Sequence, residues 1–159
     1  MINYLKKWLL WFSSMKGLAI TSKGVEESAL MEITELINAD CKINEGCVIF
    51  NFKNYKDLCL LCYKSQSADR VLYLIGSFEF DDFFNEFERF VGKADFGEWL
   101  KKYEKFKVEC IREGKHNFNS MDVEKKAAEF ITRKSRNIVE LDLKDWQITF
   151  FVYIFIIFN

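Results

Sequence analysis

The stretch FKVECIREGKHNFNSMDVEKKAAEFITRK, residues 106–134, sets the chain's single histidine among cations. Arg112, Lys115, His116, Phe118 and Ser120 fall within one short loop, and Lys125, Lys126, Arg133 and Arg136 follow on the segment after it. Catalysis by His116 would require a carboxylate to orient the imidazole and a nucleophile or metal to work with it. The sequence supplies no second histidine and no Ser or Cys arrangement for that purpose. Two cations, an imidazole and the unpaired N–H groups of a helix N-terminus form instead a phosphate-shaped environment. Phe118, inside the basic turn, is the aromatic residue offered for stacking on a base, whereas Trp99 and Trp146 are expected to pack against the core. A purely structural reading stands beside this one. Arg133, Lys134 and Arg136 lie near a helix C-terminus, where the macrodipole favours positive charge without any ligand.

Cysteine is the other residue type capable of chemistry. Cys41, Cys47, Cys59 and Cys62 form C-x5-C-x11-C-x2-C, a thiolate quartet with the ligand chemistry of a zinc or redox site. The bland alternative is burial: in NYKDLCLLCYKS, Leu58, Leu61 and Cys62 recur at helical spacing, which places the Cys pair in a helix core. An odd count of five, without a secretory signal, suggests a reducing, cytoplasmic setting.

The elements that must position these residues are legible from periodicity. GLAIT (17–21) reads as a strand, and the following KGVEESALMEITELINA as a helix with Val25, Ala29, Ile33 and Ile37 four apart. CKI and CVIFNF are two β-like runs joined through Asn44, Glu45 and Gly46, a hairpin. Asn54 with Asp57 three residues on opens the next helix as a capping box, and RVLYLIG (70–76) closes the unit as a strand. The order β-α-β-β-α-β is the ferredoxin-like plan, which hosts many functions. Phe80, Phe83, Phe84, Phe87 and Val91 then make one apolar helical stripe. DFGEWLKKY predicts a short capped helical turn, and FKVECIR a strand ending at Arg112. Asn119 or Ser120 caps a helix whose Val123, Ala127, Phe130 and Ile131 face inward, leaving Lys126, Glu129, Arg133 and Arg136 on the solvated side. NIVELDL and ITFFVYIFIIF (148–158) end the chain as strands, the last a buried one.

Net charge of −1 argues superficially against a nucleic-acid partner, but the average conceals a split. Residues 26–98 carry 7 Lys/Arg against 15 Asp/Glu, a balance of −8; residues 101–137 carry 11 against 6, a balance of +5. The basic region holds the loop described above. WLLWF (8–12) is too short to span a bilayer, though an interfacial helix is a possible use for it, and no membrane partner is expected.

The segment FKVECIREGKHNFNSMDVEKKAAEFI…NIVELDLKDWQITFFVYI resembles the THUMP domain, whose pattern is a strand entering an Arg-x-Gly-x-His/Phe-like turn, a serine-capped helix, a Val-Asp-Leu run and a Pro-Asp before the last strand. SKGVEESALMEITEL, GCVIFNF and SQSADRVLYLIGSF resemble the ferredoxin-like module that precedes THUMP in archaeal and bacterial RNA guanine-N2 methyltransferases. The likeness covers residues 15–154. It implies an α+β chain: an N-terminal extension at 1–14, a ferredoxin-like module at 15–77, and a THUMP α/β module with a mixed sheet at 78–159. By the resemblance, Arg112, Lys115, His116 and Ser120 fall on the turn that helps hold the acceptor end of tRNA. Asp145 matches the Asp of Pro-Asp, with Lys144 in place of the proline. The chain has no proline and no G-x-G run, so neither the S-adenosylmethionine loop nor the Asn/Asp-Pro-Pro-Tyr/Phe motif of the methyltransferase domain is expected within it. The expectation is a recognition half without catalytic residues, cofactor or metal: a split or truncated gene product, or a stand-alone module. Its partner would be tRNA or another structured RNA. The alternatives are an adaptor that docks a separate methyltransferase or other RNA-modifying subunit, and a Cys-based zinc or redox protein.

Overall fold

The computed structural model describes residues 15–94, 96, 99–100, 105–114, 116–135 and 139–154. The chain divides into two compact units, Met1–Ser77 and Phe78–Asn159. The WLLWF segment and most of DFGEWLKKY lie outside the described residues. No helix among those described is long and apolar enough to cross a membrane.

The first unit runs β1 (Met15–Ile20), α1 (Glu26–Ile37), β2 (Cys41–Asn44), β3 (Cys47–Phe52), α2 (Tyr55–Lys64) and β4 (Arg70–Tyr73). Its sheet has the order β2-β3-β1-β4 with every pairing antiparallel, the β-α-β-β-α-β arrangement expected from the sequence. Val48, Phe50 and Phe52 alternate along β3 onto one face, where they meet Ala29 and Ile33 of α1 and Leu61 of α2. Each large side chain so buried stabilises by about 1.5–3 kcal/mol. Gly17 faces Phe50 across β1 and β3, and its missing Cβ is what lets the Phe50 ring lie over the backbone.

Local chemistry sets the helix ends. Asn54 accepts from the N–H groups of Lys56 and Asp57 while Asp57 accepts from the Asn54 N–H, so the capping box starts α2 as the sequence implies. α1 lacks a side-chain cap. The Glu26 carboxylate in its first turn accepts instead from the N–H groups of Gly24 (2.7 Å) and Gly46 (2.8 Å), joining the helix start to the β2-β3 turn. Glu32, on α1, accepts from Ser65 Oγ (2.7 Å), the Gln66 N–H (2.8 Å), the Ser67 N–H (3.2 Å) and Ser67 Oγ. Burial alone would raise its pKa, but these hydrogen bonds outweigh it and hold the carboxyl at about 2. The loop after α2 is thereby fastened to α1.

The second unit runs α3 (Phe83–Lys93), β5 (Lys105–Arg112), α4 (Ser120–Lys134), β6 (Glu140–Leu141) and β7 (Ile148–Ile154). β5 lies between β6 and β7 and is parallel to both, so the chain combines an antiparallel sheet in one unit with a parallel one in the other. The strand expected from NIVELDL is only two residues long. Asp142, just beyond it, turns the backbone by accepting from the N–H groups of Lys144 and Asp145, which ends the ladder. Phe106 and Val108 of β5 and Phe150 of β7 pack with Val123, Ala127, Phe130 and Ile131 of α4 in the core. Phe83, Phe87 and Val91 bury the stripe of α3, while Phe84 is half-buried and Phe80 precedes the Asp82 cap. β7 buries only Phe150 and Ile154 fully, so it is less enclosed than the run of apolar residues suggests.

Candidate nucleic-acid interface

β5 delivers Arg112 to its C-terminal end, and the backbone then turns through Gly114, whose φ of +84° lies in the left-handed region that favours glycine. Arg112 Nη1 donates to the Phe118 carbonyl at 2.5 Å, which closes the loop. His116 Nε2 lies 2.8 Å from the Glu113 carbonyl. The loop ends in a second capping box: Asn119 accepts from the Asp122 N–H at 2.8 Å, and Asp122 accepts from the Asn119 N–H. Asn119, rather than Ser120, is therefore the cap. Ser120 is half-buried and hydrogen-bonds Cys110 of β5, whose thiol is pushed up by burial.

The imidazole of His116 stacks on the Phe118 ring, with centroids 5.2 Å apart and planes at 15°. Phe118 in turn contacts Phe83 at 5.0 Å, Phe84 at 5.5 Å and Phe80 at 6.4 Å. The aromatic residue that the sequence offers for base stacking is thus engaged in packing the turn onto α3. His116 gains an apolar neighbour rather than a nucleophile, and its ring nitrogen is turned to backbone.

The cations separate into two groups. Arg112 holds the turn, and Lys115 lies outside the described residues, as does Arg136. On α4, Lys125, Lys126 and Arg133 are all exposed. Lys126 pairs with Glu129 at 3.1 Å, and Arg133 reaches Glu88 on α3 and covers the Phe130 ring. Lys134 donates to the Gly92 carbonyl at 2.5 Å. The cations at the end of α4 therefore fasten it to α3 besides complementing the helix dipole. Lys125 makes no ion pair among the described residues, and with Arg133 it borders an open groove of about 380 Å³ between α4 and Leu141.

Two expectations need correction, and one alternative finds no support. Trp146 is not packed into the core: it is 40% exposed, and Lys107 Nζ sits 3.7 Å above its ring. A turn residue beside a short strand has too little structure over it to be enclosed. Cys59 and Cys62 are exposed, because α2 buries Leu61 fully and Leu58 in part, a narrow stripe that excludes the thiol pair. The four thiols of the C-x5-C-x11-C-x2-C spacing do not converge either, and among the described residues no three candidate ligands gather around a metal position.

The sequence reading passed over Lys105 and Asp142. Lys105 Nζ donates to Asp142 at 2.9 Å and to Asp145 at 3.3 Å, which ties the start of β5 to the turn before β7. The Asp145 N–H, the Lys105 ammonium and the Lys144 N–H hold the Asp142 carboxyl at about 2. The available signal was Asp142 two residues before Lys144 and three before Asp145, an Asx-turn spacing.

No curated protein sequence matches the chain significantly. Solved structures do share its fold. A predicted N6-adenine-specific DNA methylase from Listeria monocytogenes is 19% identical with a TM-score of 0.73, over 92% of this chain and 39% of that one. TrmN from Thermus thermophilus is 24% identical with a TM-score of 0.68, over 89% and 42%. A 4-thiouridine synthetase in an RNA complex with bound ATP is 16% identical with a TM-score of 0.60, over 88% and 38%. The chain spans about two fifths of the length of each. Residues 82–156 match the THUMP domain family, and this range takes in α3, the Arg112–Ser120 turn, α4 and the parallel sheet. The match to the THUMP domain family thus rests on residues 82–156, just under half of the chain.

Proposed function

We propose that this chain is an RNA-recognition module that uses its THUMP domain to hold the phosphate backbone of a structured RNA, at the acceptor end of tRNA. The observation that carries the reading is the THUMP match itself, which spans the cationic turn and the outer face of α4. A protein of the same fold was solved as a 4-thiouridine synthetase–RNA complex, which supports an RNA partner. On this reading Arg112 and Lys115 on the turn, with Lys125 and Lys126 on α4, neutralise phosphates, and His116 and Ser120 hold the turn in shape. Such contacts give affinity and register without reading base sequence. The chemistry on the bound RNA belongs to a methyltransferase or other modifying activity, and this module positions the substrate for it.

The test is an electrophoretic shift with total tRNA, intact and with the 3′ single-stranded end removed. The expected result is a retarded complex with intact tRNA that weakens when the end is removed. Equal retardation of both would move the site away from the acceptor end, and absence of any complex at low salt would overturn the RNA reading.

A further inference from the structure

The C-x2-C motif takes no part in the RNA reading, yet α2 presents both of its cysteines to solvent. Cys59 and Cys62 are exposed and stand one helical turn apart on the face that also carries Tyr55 and Tyr63. Helix geometry sets their Cα atoms about 5 Å apart, inside the 4.4–6.8 Å range of disulfides. The other three cysteines are less accessible. Cys47 is buried; Cys41 is half-buried, with Sγ 3.5 Å from the Ala39 carbonyl and 3.8 Å from Thr34 Oγ1; Cys110 is half-buried under Ser120.

We propose that Cys59 and Cys62 form a dithiol site that exchanges with low-molecular-weight disulfides and closes an intrahelical disulfide. In the first step the Cys59 thiolate attacks a disulfide RSSR: the Cys59–S–S–R bond forms, the RS–SR bond breaks and RS⁻ leaves. Cys62 then gives its proton to solvent and attacks Cys59 Sγ. The Cys59–Cys62 bond forms, the bond to R breaks, and the second RS⁻ leaves. Both leaving thiolates take up protons, so two protein thiols are oxidised while one disulfide is reduced to two thiols. Cys59 goes first because the Cys62 Sγ, though its residue is exposed, points toward β4 and lies 3.9 Å from the Val71 carbonyl, where partial desolvation raises its pKa.

The experiment treats the reduced full chain with excess oxidised glutathione in the absence of air, followed by tryptic digestion and mass analysis. The expected result is loss of two of the five thiols, both within the Asp57–Lys64 peptide, which should be lighter by two hydrogens and carry no glutathione. Cys59→Ser and Cys62→Ser should each retain a glutathione on the remaining cysteine of that peptide. Recovery of the wild-type peptide with two free thiols, or with glutathione on both, would overturn the proposal. So would oxidation of Cys41 or Cys110 in preference to the pair.

Discussion

The Arg112 guanidinium donates to the Phe118 carbonyl at 2.5 Å, and this bond ties the last residue of β5 to the loop that leads into α4. Arg112 thus has a structural use besides any contact with phosphate. Arg112→Ala should lower stability by on the order of 1–2 kcal/mol through loss of a charge-assisted hydrogen bond. Lys125→Ala is the cleaner probe: the side chain is exposed, and the change should stay within about 0.5 kcal/mol of wild type. If both residues contact phosphates, each variant should make the slope of log affinity against log salt shallower by roughly 0.7–0.9, alike for different tRNAs. Unchanged slopes in both, with folding verified, would leave these cations with structural roles only.

Phe118 joins Phe80, Phe83, Phe84 and His116 in one aromatic group, so its removal should act first on folding. Phe118→Ala should cost on the order of 2 kcal/mol in chemical denaturation, since the ring is half-buried, and Phe118→Leu clearly less. Base stacking would give a different pattern. Stability would then be nearly unchanged in both variants, and RNA affinity would fall in both.

Gly17→Ala places a methyl group inside the space of the Phe50 ring. Overpacking of this kind costs about 1–3 kcal/mol. Phe50→Leu should be destabilising alone but should absorb part of the Gly17→Ala penalty in the double variant, because the two residues face each other across β1 and β3. Strictly additive denaturation free energies would show that the strands separate instead of clashing.

Acid should weaken both units through carboxylates whose native pKa is depressed. Asp142 is held at about 2 against an ordinary 3.8 by the Asp145 N–H, Lys105 and the Lys144 N–H. Glu32 is held at about 2 against 4.5 because hydrogen bonds from Ser67, Ser65 and Gln66 overcome the effect of burial. Each group binds a proton more weakly in the folded state than in the unfolded chain. Its stabilisation is therefore complete above the ordinary value and lost as pH falls toward about 2. Asp142→Asn and Glu32→Gln should each be less stable than wild type at pH 6, with the gap closing between about pH 4.5 and 2 in thermal melts. A gap that persists unchanged at pH 2 would mean that the carboxylate charge contributes nothing.

What the sequence determined by itself is chiefly local. The Asn54–Asp57 capping box, the four-residue spacing of Ala29 and Ile33, and the inward set Val123, Ala127, Phe130 and Ile131 all reappear in the structure, because each depends on residues within a turn or two of one another. The THUMP likeness was legible for the same reason, since its pattern is a succession of such local signals. Only the tertiary structure decided where the polar and aromatic groups spend their interactions. Phe118 reads as a free ring until Phe83 and Phe84 of another element are brought against it, and Arg133 reads as a solvated cation until Glu88 arrives from α3. Cys62 fits the helical period of a core residue, but α2 lies over the sheet along a stripe that buries Leu61 and leaves Cys62 exposed at its edge. Helical periodicity tells which residues share a face; it does not tell how wide a stripe of that face a neighbouring sheet will cover.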